Sequence, residues 1–289
     1  MSDFSKVTAV YKEFEGGETG QTRSNAPYRN KANFGTPRSP RLNQRHMRCG
    51  RLIEAILIFI LLIATLITTV MNGMNGGILS ILSFYSIWGQ TFAFLAHLSA
   101  ILAMDYESWF KFAYITTEIS YSVNFVIVLI FWFDLWPMMM GMIEEGTGHF
   151  AGMDNTMITV ALIYSGLQHA VPFITTVFDL ATTDMALEKS HWWILFLVAC
   201  PFYMVFNWWG AMNLGSVRVI GEKGTIYGFE RWGTNIPLTM FMFVIFGFLQ
   251  AGIHWGTAAL IDKIWPKRAA EEFSLKENLL DEEKNTGVN

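Results

Sequence analysis

The chain has 289 residues, of which 52% are hydrophobic, 15% aromatic and only 15% charged, with a formal net charge of −4. Charged residues make up about a quarter of a typical soluble domain, so this composition excludes an ordinary soluble protein. The mean hydropathy of +0.33 points the same way.

Six apolar blocks are each long enough to cross about 30 Å of hydrocarbon as a helix, which takes about 20 residues. Glycine, asparagine and charged clusters separate the blocks, and none shows the alternation of barrel strands. The sequence therefore predicts an all-α fold, a polytopic membrane protein built as a six-helix transmembrane bundle. The blocks are Leu52 to Met71, Ile78 to Ala103, Ile115 to Pro137, Met157 to Leu180, Trp192 to Met212 and Asn235 to Ile261.

Lysine and arginine are distributed unevenly over the segments that flank these blocks. With six spans, 17 of the 20 basic residues fall on one side and only Arg218, Lys223 and Arg231 on the other. Positive charge favours the cytoplasmic side, so both termini are predicted to be cytoplasmic. The predicted membrane is an endomembrane, such as the endoplasmic reticulum, or the plasma membrane.

The chain divides by composition into three parts. Residues 1–50 are predicted to be a disordered basic cytoplasmic tail, residues 51–265 the membrane domain, and residues 266–289 a charged cytoplasmic tail. The eight basic residues from Arg23 to Arg51 either bind anionic headgroups or only fix the topology, and the sequence leaves both open.

The second block carries Ser86, Gln90 and His97 on one helical face. Polar side chains that share a face of a membrane helix are expected to face the bundle interior. His97 and His254 fall near the cytoplasmic ends of their blocks, where they are expected to contact each other or Gln250 and so hold the helices together.

The third block begins near Glu118, close to its cytoplasmic end. This carboxylate is expected either to pair with a histidine or to reach water. The fourth block places Gln168, His169 and Pro172 inside a predicted span. An ionisable ring at that depth is costly when charged, so an intramembrane histidine suggests a functional site. Pro172 has no N–H, which leaves the Gln168 carbonyl without its usual partner and offers it to the His169 ring.

The predicted depths of polar residues in the membrane relate the second block to the fourth. At about 1.5 Å per residue, Ser86 lies about 12 Å below the outer boundary, His169 about 18 Å and Thr91 about 20 Å. A buried hydroxyl and imidazole suggest nucleophilic acyl transfer, because burial favours the neutral ring that accepts the hydroxyl proton. Ser86 is the predicted nucleophile with Thr91 as its rival, His169 is the predicted base, and Gln90 and Gln168 are candidate oxyanion donors.

Other catalytic signatures are not found in the sequence. It contains no G-x-S-x-G elbow, no H-E-x-x-H or paired-cysteine zinc motif and no glycine-rich phosphate loop. We therefore expect no cofactor and no metal. The expected partners are membrane lipids and a hydrophobic ester substrate, with no nucleic acid, and protein partners stay open.

Three features together resemble the androgen-induced gene family of multipass membrane hydrolases: six spans, the pair Ser86 and Trp88, and the segment HAVPFITTVFD. The resemblance covers roughly Leu52 to Trp265. It implies an intramembrane hydrolase of fatty acid esters of hydroxy fatty acids, with a threonine nucleophile and a histidine partner. By position these roles fall on Ser86 and His169.

The chain departs from the family pattern at two points. The family's threonine is a serine here, and its Trp-x-Tyr-Pro signature is not visible in NWWGAMNLGSVRVIG. The alternative hypothesis is a non-catalytic membrane protein of the same fold, either a partner-binding subunit or a lipid-binding scaffold. Loss of the threonine favours this alternative, while the similar depth of His169 and two hydroxyls favours catalysis.

Overall fold

The structure, a computed structural model, describes residues 32–35, 37, 41–71, 82, 84–147, 150–183, 185, 187–196, 200–213 and 232–264. Across these residues all regular elements are helical, and the only bridge is an isolated one between Pro37 and Thr183. The predicted all-α class is confirmed for this part of the chain.

Seven longer helices carry the fold. They are α1 (Gln44–Met71), α2 (Tyr85–Asp105), α3 (Phe110–Ile130), α4 (Trp136–Glu145), α5 (Asn155–Thr182), α6 (Cys200–Asn213) and α7 (Ile236–Ile264). Short helical turns cover Ala32–Gly35, Glu107–Trp109, Lys189–His191 and Trp192–Ile194.

In the described part of the chain, five helical stretches are long and apolar enough to cross a membrane, which is the pattern of an integral multi-pass membrane protein. They are Gln44–Thr68, Tyr85–Asp105, Glu107–Glu145, Asn155–Thr182 and Ile236–Ile261. The predicted span Trp192 to Met212 is not among them. Its described parts are one helical turn and α6, whose 14 residues span about 21 Å, while residues 197–199 lie outside the description. The sixth span and the orientation of the termini stay predictions.

The third predicted span is longer than the sequence indicated. We expected it to end at Pro137, but α3 continues through a π-helical turn, Phe131–Leu135, into α4. The N–H of Trp136 reaches the carbonyl of Phe131, five residues back. Pro137 is at the start of α4, where its missing N–H costs little, so the proline does not end the helix.

Helix α2 packs against α1, α3 and α5 and so has the central position. Its contact with α3 is close at Gly89, whose backbone carbonyl accepts a hydrogen bond from Asn124 Nδ2 at 3.0 Å. A Cβ at position 89 would lie 2.3 Å from Ile127 Cδ1 and 2.4 Å from Asn124 Oδ1. The two backbones can approach this closely because residue 89 has no side chain.

Charged pairs define one end of the bundle. Arg48 of α1 pairs with Asp105 at the end of α2, and Arg51 pairs with Asp179 near the end of α5. The start of α1 and the ends of α2 and α5 therefore lie together, and we call this the charged end. The starts of α2 and α5 lie at the opposite end.

The boundary of the N-terminal tail needs correction. We predicted disorder through residue 50, but α1 begins at Gln44 and Ala32–Gly35 form a helical turn. Phe34 is buried in the main hydrophobic core, and its carbonyl accepts a 2.6 Å hydrogen bond from Arg51 Nη1. These contacts explain why regular structure begins before residue 50: Phe34 is buried, and its carbonyl binds the buried Arg51 guanidinium. Residues 1–31 and 265–289 lie outside the described part of the chain.

Candidate active site

His169 lies on α5, where it is 9% exposed and its ring stacks on Phe131 of the π-helical turn. The ring centroids are 4.0 Å apart and the planes differ by 8°. His169 Nδ1 lies 2.7 Å from the carbonyl oxygen of Ser165. A carbonyl only accepts, so the proton of the neutral ring is on Nδ1 and Nε2 presents a lone pair. Nε2 has no hydrogen-bond partner among the described residues.

The group that orients His169 is not the one expected. We predicted the Gln168 carbonyl, which Pro172 leaves without its helical donor, but the ring bonds to the carbonyl of Ser165. Side chains on a helix point toward its N-terminus, so the imidazole reaches the carbonyl one turn earlier rather than its neighbour. The local backbone therefore sets the tautomer.

Ser86, in the first turn of α2, is buried at 8% exposure. Ten serine and threonine side chains are buried in the part of the chain that the structure describes, and nine of them make side-chain hydrogen bonds. Ser86 alone makes none there. Most buried hydroxyls in membrane helices bond to their own backbone, so an unbonded one is unusual.

Two hydroxyl contacts relate the height of Ser86 to that of His169. Ser99 meets Thr116 at 3.1 Å between α2 and α3, and Ser120 meets Thr176 at 3.0 Å between α3 and α5. Ser86 lies 13 residues from Ser99 along α2, about 20 Å toward the opposite end. From the same level and toward the same end, four residues of α3 lead from Thr116 to Ser120. Seven residues of α5 then lead from Thr176 to His169, and the two steps add up to about 17 Å. The two side chains therefore lie at levels about 3 Å apart.

The two groups lie on packed helices but are not joined. Within the described residues, no hydrogen bond links Ser86 to His169. Proton transfer would require a change of rotamer, and catalytic hydrogen bonds are often formed only in the substrate complex. The predicted rival Thr91 is exposed on the outer face of α2, away from the buried face that carries Ser86.

The two predicted oxyanion donors differ in their surroundings. Gln90 is 0% exposed, and neither its Nε2 nor its Oε1 has a hydrogen-bond partner. Gln168 is half-buried on α5. A small apolar cavity of about 30 Å³ lies beside the site and includes neither Ser86 nor His169; its lining is Tyr85, Ile130, Cys200, Tyr203, Phe243, Phe246 and Gln250.

The charged end contains buried pairs that the sequence did not reveal. Arg51 Nε donates to Asp179 Oδ1 at 2.9 Å, with side chains 1% and 4% exposed. Glu54 Oε2 of α1 lies 3.3 Å from His97 Nδ1 of α2. The signal available in the sequence was an acidic residue inside each of the first and fourth predicted blocks, which had no visible partner.

A second cluster at this end surrounds Glu118. Its carboxylate accepts hydrogen bonds from His191 Nδ1 at 2.6 Å and from the Glu188 N–H at 2.7 Å. The predicted pairing of Glu118 with a histidine is therefore present. His254 Nε2 contacts the Glu188 carbonyl at 2.8 Å, and Gln250 donates to the Tyr85 hydroxyl. Because His97 lies against Glu54, the predicted meeting of His97 with His254 or Gln250 is wrong.

His191 lies outside the membrane-spanning stretches. Burial lowers the pKa of His191, and the positive charge of Lys111 also lowers it. The hydrogen bond to Glu118 and the negative charges of Glu118 and Glu188 outweigh both, so the pKa is raised overall. Among the described residues, no group of three or more His, Cys, Asp or Glu side chains is arranged to hold a metal ion.

Comparison with known proteins adds no relative. No family model matches the chain, and neither a curated protein nor a solved structure matches it. The resemblance drawn from Ser86, Trp88 and the His169 segment therefore stays a prediction.

Proposed function

We propose that this membrane protein hydrolyses lipid esters, with Ser86 as nucleophile and His169 as general base. The observation that carries the proposal is that Ser86 is the one buried hydroxyl with no hydrogen bond in the described part of the chain, at the level of an imidazole whose Nε2 is also unpartnered. The other nine buried serine and threonine hydroxyls of the described part are bonded, whereas a reacting hydroxyl and its base need free lone pairs.

The chemistry follows from these atoms. Ser86 Oγ attacks the ester carbonyl carbon while its proton moves to His169 Nε2, which forms a tetrahedral oxyanion. The oxyanion collapses, the C–O bond to the alcohol breaks, and His169 returns the proton to the leaving alkoxide. Water then repeats the sequence on the acyl-serine and releases the carboxylic acid. The Ser165 carbonyl holds the Nδ1 proton and stabilises the imidazolium.

The resemblance supports a narrower substrate class, fatty acid esters of hydroxy fatty acids. A substrate of this kind partitions into the bilayer, and the apolar side chains around the site are suited to it. Phe133, two residues beyond the stacking partner Phe131, is 81% exposed. The ester would therefore approach from the lipid.

The test is covalent labelling of the purified, detergent-solubilised protein with a fluorophosphonate. We expect the wild type to label, and Ser86→Ala and His169→Ala to lose labelling. Thr91→Ala and Ser99→Ala are the matched controls, because one removes an exposed hydroxyl and the other a bonded buried hydroxyl on the same helix.

Two results would contradict the proposal. Labelling that persists in Ser86→Ala but disappears in Thr91→Ala would place the nucleophile elsewhere on α2. A wild type that neither labels nor hydrolyses a long-chain ester would favour the non-catalytic alternative, which the missing Ser86–His169 hydrogen bond already supports.

A further inference from the structure

Gln90 is one of two side chains in the described interior whose polar atoms are all fully buried and all lack a hydrogen bond, and His97 is the other. Gln90 is 0% exposed, and both its Nε2 and its Oε1 are buried without a hydrogen-bond partner. A buried amide that bonds to nothing destabilises the fold, so such a group calls for an explanation, and a catalytic role is one.

Another amide in the same bundle shows what a structural role looks like. Asn124 of α3 is 1% exposed, and its Nδ2 donates to the Gly89 carbonyl, the Ser120 carbonyl and the Ser120 hydroxyl. This amide joins α2 to α3 and leaves its donor fully used. Gln90 is equally buried and joins nothing, so helix packing does not explain it.

The direction of Gln90 follows from the contacts of its neighbours on α2. Gly89 faces α3 at Asn124, and Phe94 faces α1, where its ring lies 5.6 Å from Phe59. At 100° per residue, Ser86 and Gln90 both fall in the arc between these two contacts, about 40° apart. Helix α5, which carries His169, packs against α2 along with α1 and α3. The opposite arc of α2 is exposed at Thr91 and Leu98, so α5 packs on the buried arc, and Gln90 lies in that arc one turn from Ser86.

We propose that Gln90 Nε2 donates a hydrogen bond to the ester carbonyl oxygen of the substrate and to the oxyanion that forms from it. The inference rests on the proposed function and names the group that would stabilise its tetrahedral intermediate. A donor aimed at that oxygen costs nothing to reorganise, because no protein partner must be released first. Oε1 then accepts from a water or from the hydroxyl of the released alcohol.

Other unpartnered polar atoms fit this role less well. His97 is also buried without a hydrogen bond, but it lies against the Glu54 carboxylate, about two turns beyond Gln90 toward the charged end. Gln168 is half-buried, so water can satisfy its amide. Among the described residues, Gln90 is the one buried, uncommitted donor about a turn from Ser86.

The experiment compares Gln90→Leu with Asn124→Leu in the full-length, detergent-solubilised protein. The measurements are the second-order rate constant for fluorophosphonate labelling and the midpoint of thermal unfolding. We expect Gln90→Leu to lower the labelling rate by about 100-fold, the usual effect of removing one oxyanion donor. The same change should leave the midpoint unchanged or raise it, since an unpaired amide is replaced by an apolar side chain of similar size. Asn124→Leu should lower the midpoint, because it removes the hydrogen bond that joins the Gly89 carbonyl of α2 to α3.

The outcomes separate this inference from the proposed function. If the wild type labels, Ser86→Ala does not, and Gln90→Leu labels at the wild-type rate, the role of Gln90 is refuted and the hydrolase stands. A Gln90→Leu variant that unfolds earlier, as Asn124→Leu should, would also refute it, since Gln90 would then be structural. A wild type that never labels and hydrolyses no ester would overturn both.

Discussion

Arg51 and Asp179, 128 residues apart in the chain, form a 2.9 Å ion pair in which both side chains are almost fully buried. The pair joins the first turns of the α1 membrane stretch to the end of α5. Arg51 also bonds to the Phe34 carbonyl and lies over the Phe34 ring, with the guanidinium carbon 5.7 Å from the centroid. One guanidinium thus connects the tail, α1 and α5 at the charged end.

Breaking this pair should strongly destabilise the protein. We expect Asp179→Asn to lower the free energy of unfolding by about 3–5 kcal/mol, because it leaves a buried guanidinium without a counter-charge. Thermal unfolding in detergent measures the effect. Arg48→Gln is the control, since it removes the exposed Arg48–Asp105 pair and should cost below about 1 kcal/mol. Equal losses in both variants would show that the Arg51–Asp179 contact is not the anchor.

The Glu118–His191 contact should make stability depend on pH. The pKa of His191 is raised in the folded protein, so its contribution to stability is complete below its ordinary value of about 6.5 and is lost as pH rises through the folded value. The His191 side chain is 18% exposed, and its contribution is on the order of 1 kcal/mol. We expect the unfolding midpoint of the wild type to exceed that of His191→Gln near pH 6, and the gap to shrink as pH rises through the folded pKa.

Other histidines also titrate, so the comparison uses the difference between two proteins at each pH. The exposed His46 supplies the control, and His46→Gln should follow the wild type throughout. A gap that widens as pH rises would mean that His191 is stabilised in its neutral form.

The close approach of α2 and α3 should not tolerate a side chain at position 89. In Gly89→Ala, the new Cβ meets Ile127 Cδ1 and Asn124 Oδ1, and moving Asn124 breaks its bonds to Gly89 and Ser120. We expect a loss of about 1–3 kcal/mol, the usual cost of overpacking. In Gly252→Ala of α7, nothing lies within 4 Å, and the change should be neutral or stabilise by up to about 1 kcal/mol. Comparable unfolding midpoints for the two variants would argue against tight packing at Gly89.

Replacing Ser86 by threonine tests whether the hydroxyl alone is sufficient. The change keeps the nucleophile and adds one methyl group at a position that is 8% exposed. We expect Ser86→Thr to retain fluorophosphonate labelling at a rate about 10- to 200-fold below the wild type, the usual effect of one methylene-sized change in an apolar pocket. Complete loss of labelling, as expected for Ser86→Ala, would show that the site cannot accept a β-branched nucleophile.

How far the sequence predicts this structure differs between elements. Apolar blocks locate five of the helices, since the bilayer length requirement leaves a clear pattern. Their ends are harder to place, because α1 starts eight residues before Leu52. The hydrophobic pattern stops at Arg51, whereas the helix continues where Asp179 and the Phe34 carbonyl satisfy that charge.

The candidate site shows the same division. The similar depths of Ser86 and His169 follow from counting residues along helices. The stacking partner Phe131, the tautomer-setting Ser165 carbonyl and the unsatisfied amide of Gln90 do not, because each depends on how helices rotate about their axes. No local pattern in a single sequence encodes that rotation.

The π-helical turn Phe131–Leu135 has a consequence for insertions and deletions in this region. A π turn accommodates one extra residue while the helix on either side stays in register, so deleting a single residue there would restore α-helical pitch and leave the helix beyond it near its present orientation. In α4, which follows, no residue is buried, so a small residual rotation would disturb little packing. The same deletion would move the aromatic ring away from His169. The long helix can therefore change length beyond this turn while the imidazole depends on one exact register.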